Sequence, residues 1–172
     1  MLKKLPLALS DFRRLRESNC LYVDKTKYVY ELITGYGRYF LSRPRRFGKS
    51  LLVSTLKQAL EGNKGLFAGL WIADSDYTWE KHAVVFLDFS TLGGIGTPQE
   101  FLLCMVNALV LNGNQHGIEL DTSSQSVSII FQNYLIAMHK KYGKVAILID
   151  EYDRPILHNL HNIELAKSIR RL

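Results

Sequence analysis

Cysteine is scarce in this chain of 172 residues. Cys20 and Cys104 stand far apart and fit no metal or redox spacing, so the sequence predicts two reduced thiols and neither a zinc site nor a disulfide framework. Long hydrophobic runs are missing too. The longest, FLLCMVNALVL, is too short to cross a bilayer and is interrupted by Asn107. The start, MLKKLPLALSDF, sets two lysines before an apolar patch, but Pro6 and Asp11 break that patch and no small-residue cleavage site follows. No membrane partner is expected, and the expected location is cytoplasmic. Internal repeats and low-complexity segments are absent as well, which excludes solenoid and linker-like readings.

Acidic residues are thin in one part of the chain. Residues 1–50 hold twelve Lys or Arg against four Asp or Glu, a net +8, whereas residues 51–172 stand at −2. Such an excess suits a phosphate-bearing ligand, nucleotide or nucleic acid; a solvated basic face is the alternative that charge alone leaves open. Otherwise the composition is ordinary. With 47% hydrophobic and 22% charged residues, the chain reads as one globular domain with a sizeable core.

Periodicity and punctuation give the order of elements. LSDFRRLRESNC reads as a short helix or turn capped by Ser10 or Asp11. Residues 21–37 read as a brief extended piece and then a helix that Asp24 caps and Gly35 and Gly37 stop. RYFLS, residues 38–42, reads as a short strand, with Pro44 keeping Arg43 extended. KSLLVSTLKQALEG is a helix with a stripe of Leu51, Leu52, Leu56 and Leu60. AVVFLDFS, residues 83–90, reads as a strand buried on both faces. Helices near 98–111 and 125–141 follow, separated by an exposed loop, NGNQHGIELDTSS. KVAILIDEYDRPI supplies a last apolar strand ending in Asp150 and Glu151. Phe67, Trp71 and Trp79 read as packing residues. The alternation predicts an α/β fold, a mainly parallel sheet flanked by helices.

FLSRPRRFGKSLL, residues 40–52, ends like a phosphate-binding loop. Where the usual G-x-x-x-x-G-K-[ST] pattern has its first glycine, it holds Arg43. A phosphate cradle needs consecutive backbone N–H groups at a helix N-terminus, where the helix dipole also favours negative charge. Arg46, Phe47, Gly48, Lys49, Ser50 and Leu51 would supply them. Gly48 lets the backbone approach, Lys49 reaches phosphate oxygens, and the Ser50 hydroxyl is a magnesium ligand. About a hundred residues later, Asp150 would hold the magnesium through water and Glu151 would polarise an attacking water. The structural alternative is that both carboxylates pair with nearby arginines such as Arg154. Elsewhere, Asp24, Lys25 and Thr26 could lie over a base or ribose, with a helix cap the preferred reading of Asp24. Asp88 ends a strand, where a backbone hydrogen bond or packing is preferred to a magnesium role. His158 and His161 stand three apart without a third ligand, and Cys104 has no companion base.

Together YVDKT, FLSRPRRFGKSLL, GLFAGLWI, VVFLDFS and LIDEYDRPI resemble the AAA-ATPase-like family of prokaryotic proteins, from about residue 5 to the end. RPRRFGKS is the form this family shows in place of the glycine-rich loop, so Arg43 looks like a family variant. The resemblance implies a P-loop NTPase fold that takes ATP and Mg²⁺. It also implies a variant Walker A loop at Gly48, Lys49 and Ser50 and a Walker B strand at Asp150 and Glu151. Family members typically carry a C-terminal nuclease-like domain of the PD-(D/E)XK type, which residues 1–172 do not contain. Further strands, a sensor residue and an arginine finger would also lie beyond Leu172. The chain therefore reads as the N-terminal portion of such a protein, C-terminally truncated, with Glu151 the catalytic candidate and turnover slow or absent. The rival reading is a non-catalytic module for nucleotide or nucleic acid, or a truncated remnant. Self-association through an exposed sheet edge is a further expectation.

Overall fold

The computed structural model describes residues 3–7, 9–35, 37–42, 44, 46–91, 95–123 and 126–171. It divides into two compact units, Met1–Val84 and Val85–Leu172. The chain is a mixture of helices with one small parallel sheet, as the α/β reading expects.

The first unit is built on three helices, α1 (Phe12–Glu17), α2 (Thr26–Thr34) and α3 (Lys49–Leu60). Asp11 is the cap of α1, its Oδ1 accepting from Arg14 N–H at 2.7 Å. Helices α1 and α2 both pack on α3. Phe12, Val29, Ala59, Phe67, Leu70, Ile72 and Tyr77 form the core. Its aromatic rings stack closely: Phe12 lies 4.7 Å from Phe67 and Trp79 lies 4.9 Å from Phe67, centroid to centroid. Aromatic pairs at such spacings add to the area they bury. Phe67 and Trp79 are therefore packing residues, as their sequence setting suggests; Trp71 is exposed but edges onto Tyr30 at 5.6 Å.

Residues 38–42 do not form a strand. A run enters a sheet only where a strand lies beside it, and among the described residues the sheet consists of two strands from elsewhere in the chain. Instead Tyr39 folds against the glycines that end α2. A Cβ on Gly37 would lie 2.9 Å from the Tyr39 ring, and one on Gly35 would meet its hydroxyl. Arg43 lies outside the described residues.

The second unit holds α4 (Pro98–Gln115), α5 (Val127–Tyr142), β2 (Val145–Asp150), α6 (Arg154–His158), α7 (Ile163–Arg171) and most of β1 (Ala83–Asp88). β1 is buried along most of its length, as a run of consecutive apolar residues predicts. Thr97 caps α4 by accepting from Glu100 N–H at 3.2 Å, while Glu100 reaches back to Gly96 N–H at 2.7 Å, in the manner of a capping box. The loop expected from residue 112 starts four residues later, because α4 runs on to Gln115. Two local facts explain the extension. Asn112 is buried and serves β1: its Oδ1 accepts from Phe86 N–H at 3.2 Å and its Nδ2 donates to Phe86 O at 3.0 Å. Gly113 lets the returning chain pass close by, since a Cβ there would stand 2.7 Å from Ile118 O.

Candidate functional site: a glycine-led helix start and an acidic strand end

The GKS stretch opens α3. Gly48 is its N-cap residue at φ 75° and ψ 24°, in the left-handed region, and no side chain caps the helix. A Cβ at Gly48 would meet nothing within 4 Å, so glycine is needed for the backbone angle and not for space. The helical ladder begins with Leu52 N–H bonding Gly48 O at 3.0 Å. The N–H groups of Lys49, Ser50 and Leu51 precede that ladder, as the first donors of any helix do. Lys49 and Ser50 are half-buried, whereas Arg46 and Phe47 are exposed. Arg46 also has a left-handed φ of 68°. Arg45 lies outside the described residues. The helix behind the loop is well anchored: Ser54 Oγ accepts from Phe12 N–H at 2.9 Å, and Gln58 Oε1 accepts from Arg13 Nη2 at 2.9 Å. A fixed helix start with N–H donors ahead of the helical ladder and a lysine among them suits an anion chemically.

The second motif sits at the end of β2. Asp150 is 9% exposed, and its Oδ1 accepts from the following Glu151 N–H at 3.0 Å. Glu151 turns the chain with a φ of 53°. Left-handed angles at non-glycine residues cost on the order of 1–3 kcal/mol and cluster at functional sites. Among the described residues Asn19, Arg46, Trp79 and Glu151 adopt them, and two of these, Arg46 and Glu151, lie in the motifs. Among the described residues no ion pair joins Arg154 to either carboxylate. Arg154 Nε is itself buried without a hydrogen-bond partner there. A nearly buried carboxylate without a paired cation is costly unless a ligand or solvent compensates it. The loop belongs to the first unit and the acidic strand end to the second.

Other candidates resolve into structural roles. Asp24 lies one residue before the N-cap position of α2, which is Lys25. Its carboxylate accepts from Thr26 N–H at 2.8 Å, from Thr26 Oγ1 at 2.7 Å and from Trp71 N–H at 2.6 Å. Thr26 Oγ1 in turn accepts from Ile72 N–H at 3.1 Å. The YVDKT stretch thus pins α2 to residues 71 and 72. Burial alone would raise the Asp24 pKa, but the donors from Trp71 and Thr26 outweigh it and hold the carboxyl below its ordinary value. Asp88 Oδ1 accepts from Ser90 N–H at 2.8 Å, the backbone bond preferred for it. His158 ends α6 while His161 lies in the turn after it, so the pair does not share a helix. Among the described residues no cluster of three His, Cys, Asp or Glu could hold a metal ion, and no helix is long and apolar enough to cross a membrane. Both cysteines are unpaired thiols. The residue that sequence reading passes over is Asn112, whose signal was a polar side chain on the inward side of an apolar helix.

The family model described as predicted AAA-ATPase matches residues 6–172. A protein of Azotobacter chroococcum mcd 1, described as "Uncharacterized protein in vnfD 5'region", is 37% identical over 171 residues. That alignment takes in 98% of this chain but 32% of the relative's length. No solved structure matches. The family match spans both the glycine-led helix start and the acidic strand end, so the chain belongs to the family of predicted AAA-ATPases.

Proposed function

We propose that the chain binds ATP with magnesium, the loop of residues 46–51 taking the phosphates. The observation that carries this reading is the start of α3: a left-handed Gly48 followed by uncapped N–H donors and Lys49, in a chain of a predicted ATPase family. Those donors and the Lys49 ammonium match the charge of a polyphosphate, and Gly48 leaves open space beside the backbone. Ser50 and Asp150 are the proposed magnesium ligands, both being oxygen donors of the kind a hard cation takes. Magnesium, when bound, would neutralise charge on the phosphates. Glu151 is the proposed group that orients a water and accepts its proton.

Calorimetry with MgATP on the full chain tests the reading. Lys49→Ala should weaken binding by more than about tenfold, because a charge-assisted contact to phosphate contributes roughly 1.5–3 kcal/mol. Equal affinity for both proteins, each with an unchanged circular dichroism spectrum, would remove the proposal.

A second reading, a non-catalytic module for nucleotide or nucleic acid, draws on the +8 charge of residues 1–50 and on exposed Tyr39 and Phe47. Under that reading the affinity for single-stranded DNA falls steeply with salt, and nucleotide is held without turnover.

A further inference from the structure

Asn112–Gly113 is the one Asn–Gly dipeptide in the sequence. In a flexible chain such a pair is chemically labile. Glycine has no side chain to shield its nitrogen, the backbone around it turns freely, and that nitrogen attacks the neighbouring amide carbon. The fold gives each of the two residues its own reason to be there. Asn112 is buried, and its amide serves as acceptor and donor at once. Oδ1 accepts from Phe86 N–H at 3.2 Å, while Nδ2 donates to Phe86 O and to Ala108 O, each at 3.0 Å. Among short side chains only an amide offers both functions in this geometry. Gly113 has to lack a Cβ, which would stand 2.7 Å from Ile118 O and 3.2 Å from Leu120 Cγ. Packing therefore fixes both members of a reactive pair.

We propose that Asn112 is a site of spontaneous deamidation, held shut by the bonds from α4 to β1 and opened when they let go. In the reaction the Gly113 nitrogen bonds to Asn112 Cγ, the Cγ–Nδ2 bond breaks, and ammonia leaves with the proton that the Gly113 nitrogen gives up. Water then opens the resulting succinimide ring at either carbonyl. One opening gives aspartate; the other reroutes the main chain through the side chain and gives isoaspartate. The sum is one water in and one ammonia out, with nothing oxidised or reduced. The folded chain blocks the first step. A helical ψ of about −42° holds the Gly113 nitrogen away from ring closure. Its N–H lies inside α4, where it belongs to the helical ladder. The Asn112 amide is meanwhile held by Phe86 and Ala108. Once formed, the product cannot rebuild the clamp. A carboxylate accepts but does not donate, so it would face the carbonyl oxygens of Phe86 and Ala108 with nothing to offer them. Isoaspartate adds a methylene to the main chain and interrupts α4. An opening long enough to react is thereby made permanent. The inference rests on α4 and β1 and not on nucleotide binding.

Peptide mapping by mass spectrometry tests it, on the full chain held in mildly alkaline buffer. The fraction of Asn112 converted is followed over time without denaturant and in urea above the unfolding midpoint. Conversion should be at least about tenfold slower in the folded chain, where it waits on a sparsely populated opening. Asn112→Asp carries the product from the start and should unfold at lower urea than the unaltered chain. Asn133→Asp makes the same exchange at an exposed position of α5 and should leave the midpoint where it is. No conversion of Asn112 in either condition overturns the proposal, and so does conversion equally fast in both. An Asn112→Asp chain as stable as the unaltered one, or equal losses in the two aspartate variants, also overturns it. If Asn112→Asp does not fold, the rate comparison on the unaltered chain decides alone.

Discussion

Tyr134 presents a cost that a single substitution should relieve. It lies in α5 at 0% exposure, and its hydroxyl has no hydrogen-bond partner among the described residues. A buried polar group left unsatisfied costs about 1–3 kcal/mol, while its apolar counterpart of the same shape is neutral or better. Tyr134→Phe should therefore stabilise the protein by up to that amount, or roughly 2–10 °C in Tm for a chain of this size. The alkaline range gives a second, independent sign. Burial first, and then the neighbouring Tyr142, push the Tyr134 pKa from 10.0 up to about 12. With the folded pKa raised, the unfolded chain releases the proton first. The tyrosine's contribution is whole below about pH 10 and is lost as pH rises through about 12. At about pH 11 the loss is roughly 1.4 kcal/mol, the free energy of a tenfold difference in protonation between the folded and unfolded chain. The phenylalanine variant lacks this loss, so its advantage should widen by that amount between about pH 7 and about pH 11. Urea unfolding followed by circular dichroism at both pH values measures it. A less stable phenylalanine variant, or a gap that stays constant with pH, would refute the reasoning, because either outcome means the hydroxyl is satisfied.

Asp24→Asn keeps the shape but loses the charge that three donors address, and should lower stability near neutral pH. Since the folded carboxyl titrates below its ordinary value, the contribution of Asp24 is present above about pH 4 and lost as pH falls through the folded pKa, so the two proteins should converge in acid melts. Asn112→Ala removes the clamp on Phe86 and should cost about 1–3 kcal/mol in urea unfolding; an unchanged midpoint would show that the β1 edge needs no cover. Gly48→Ala forces a side chain into a left-handed angle and should cost about 1–2 kcal/mol, with a larger loss of MgATP affinity than of stability if the loop holds phosphate.

What could be read from the residues is what is settled locally. The Asp11 cap is an interaction over three residues, and the strand at 83–88 is a run whose burial its own composition demands. The opening of α3 at GKS is equally local, since glycine angle and helix start lie within two residues of each other. The failures lie where a distant partner decides. RYFLS and VAILID are alike as apolar runs, yet among the described residues the second lies in the sheet beside β1 and the first does not; composition states the capacity to pair and is silent on the neighbour. The end of α4 follows the same rule. NGNQ reads as loop by propensity, but Asn112 is bonded to Phe86, and tertiary bonding overrides the local preference. The candidate site divides along that line too. That Gly48 starts a helix and Asp150 ends a strand was legible from a few residues each. That Asp150 is nearly buried, bonded to the next N–H and not paired with Arg154 depends on how the strand end folds over. Spacing alone allowed both the paired and the unpaired arrangement.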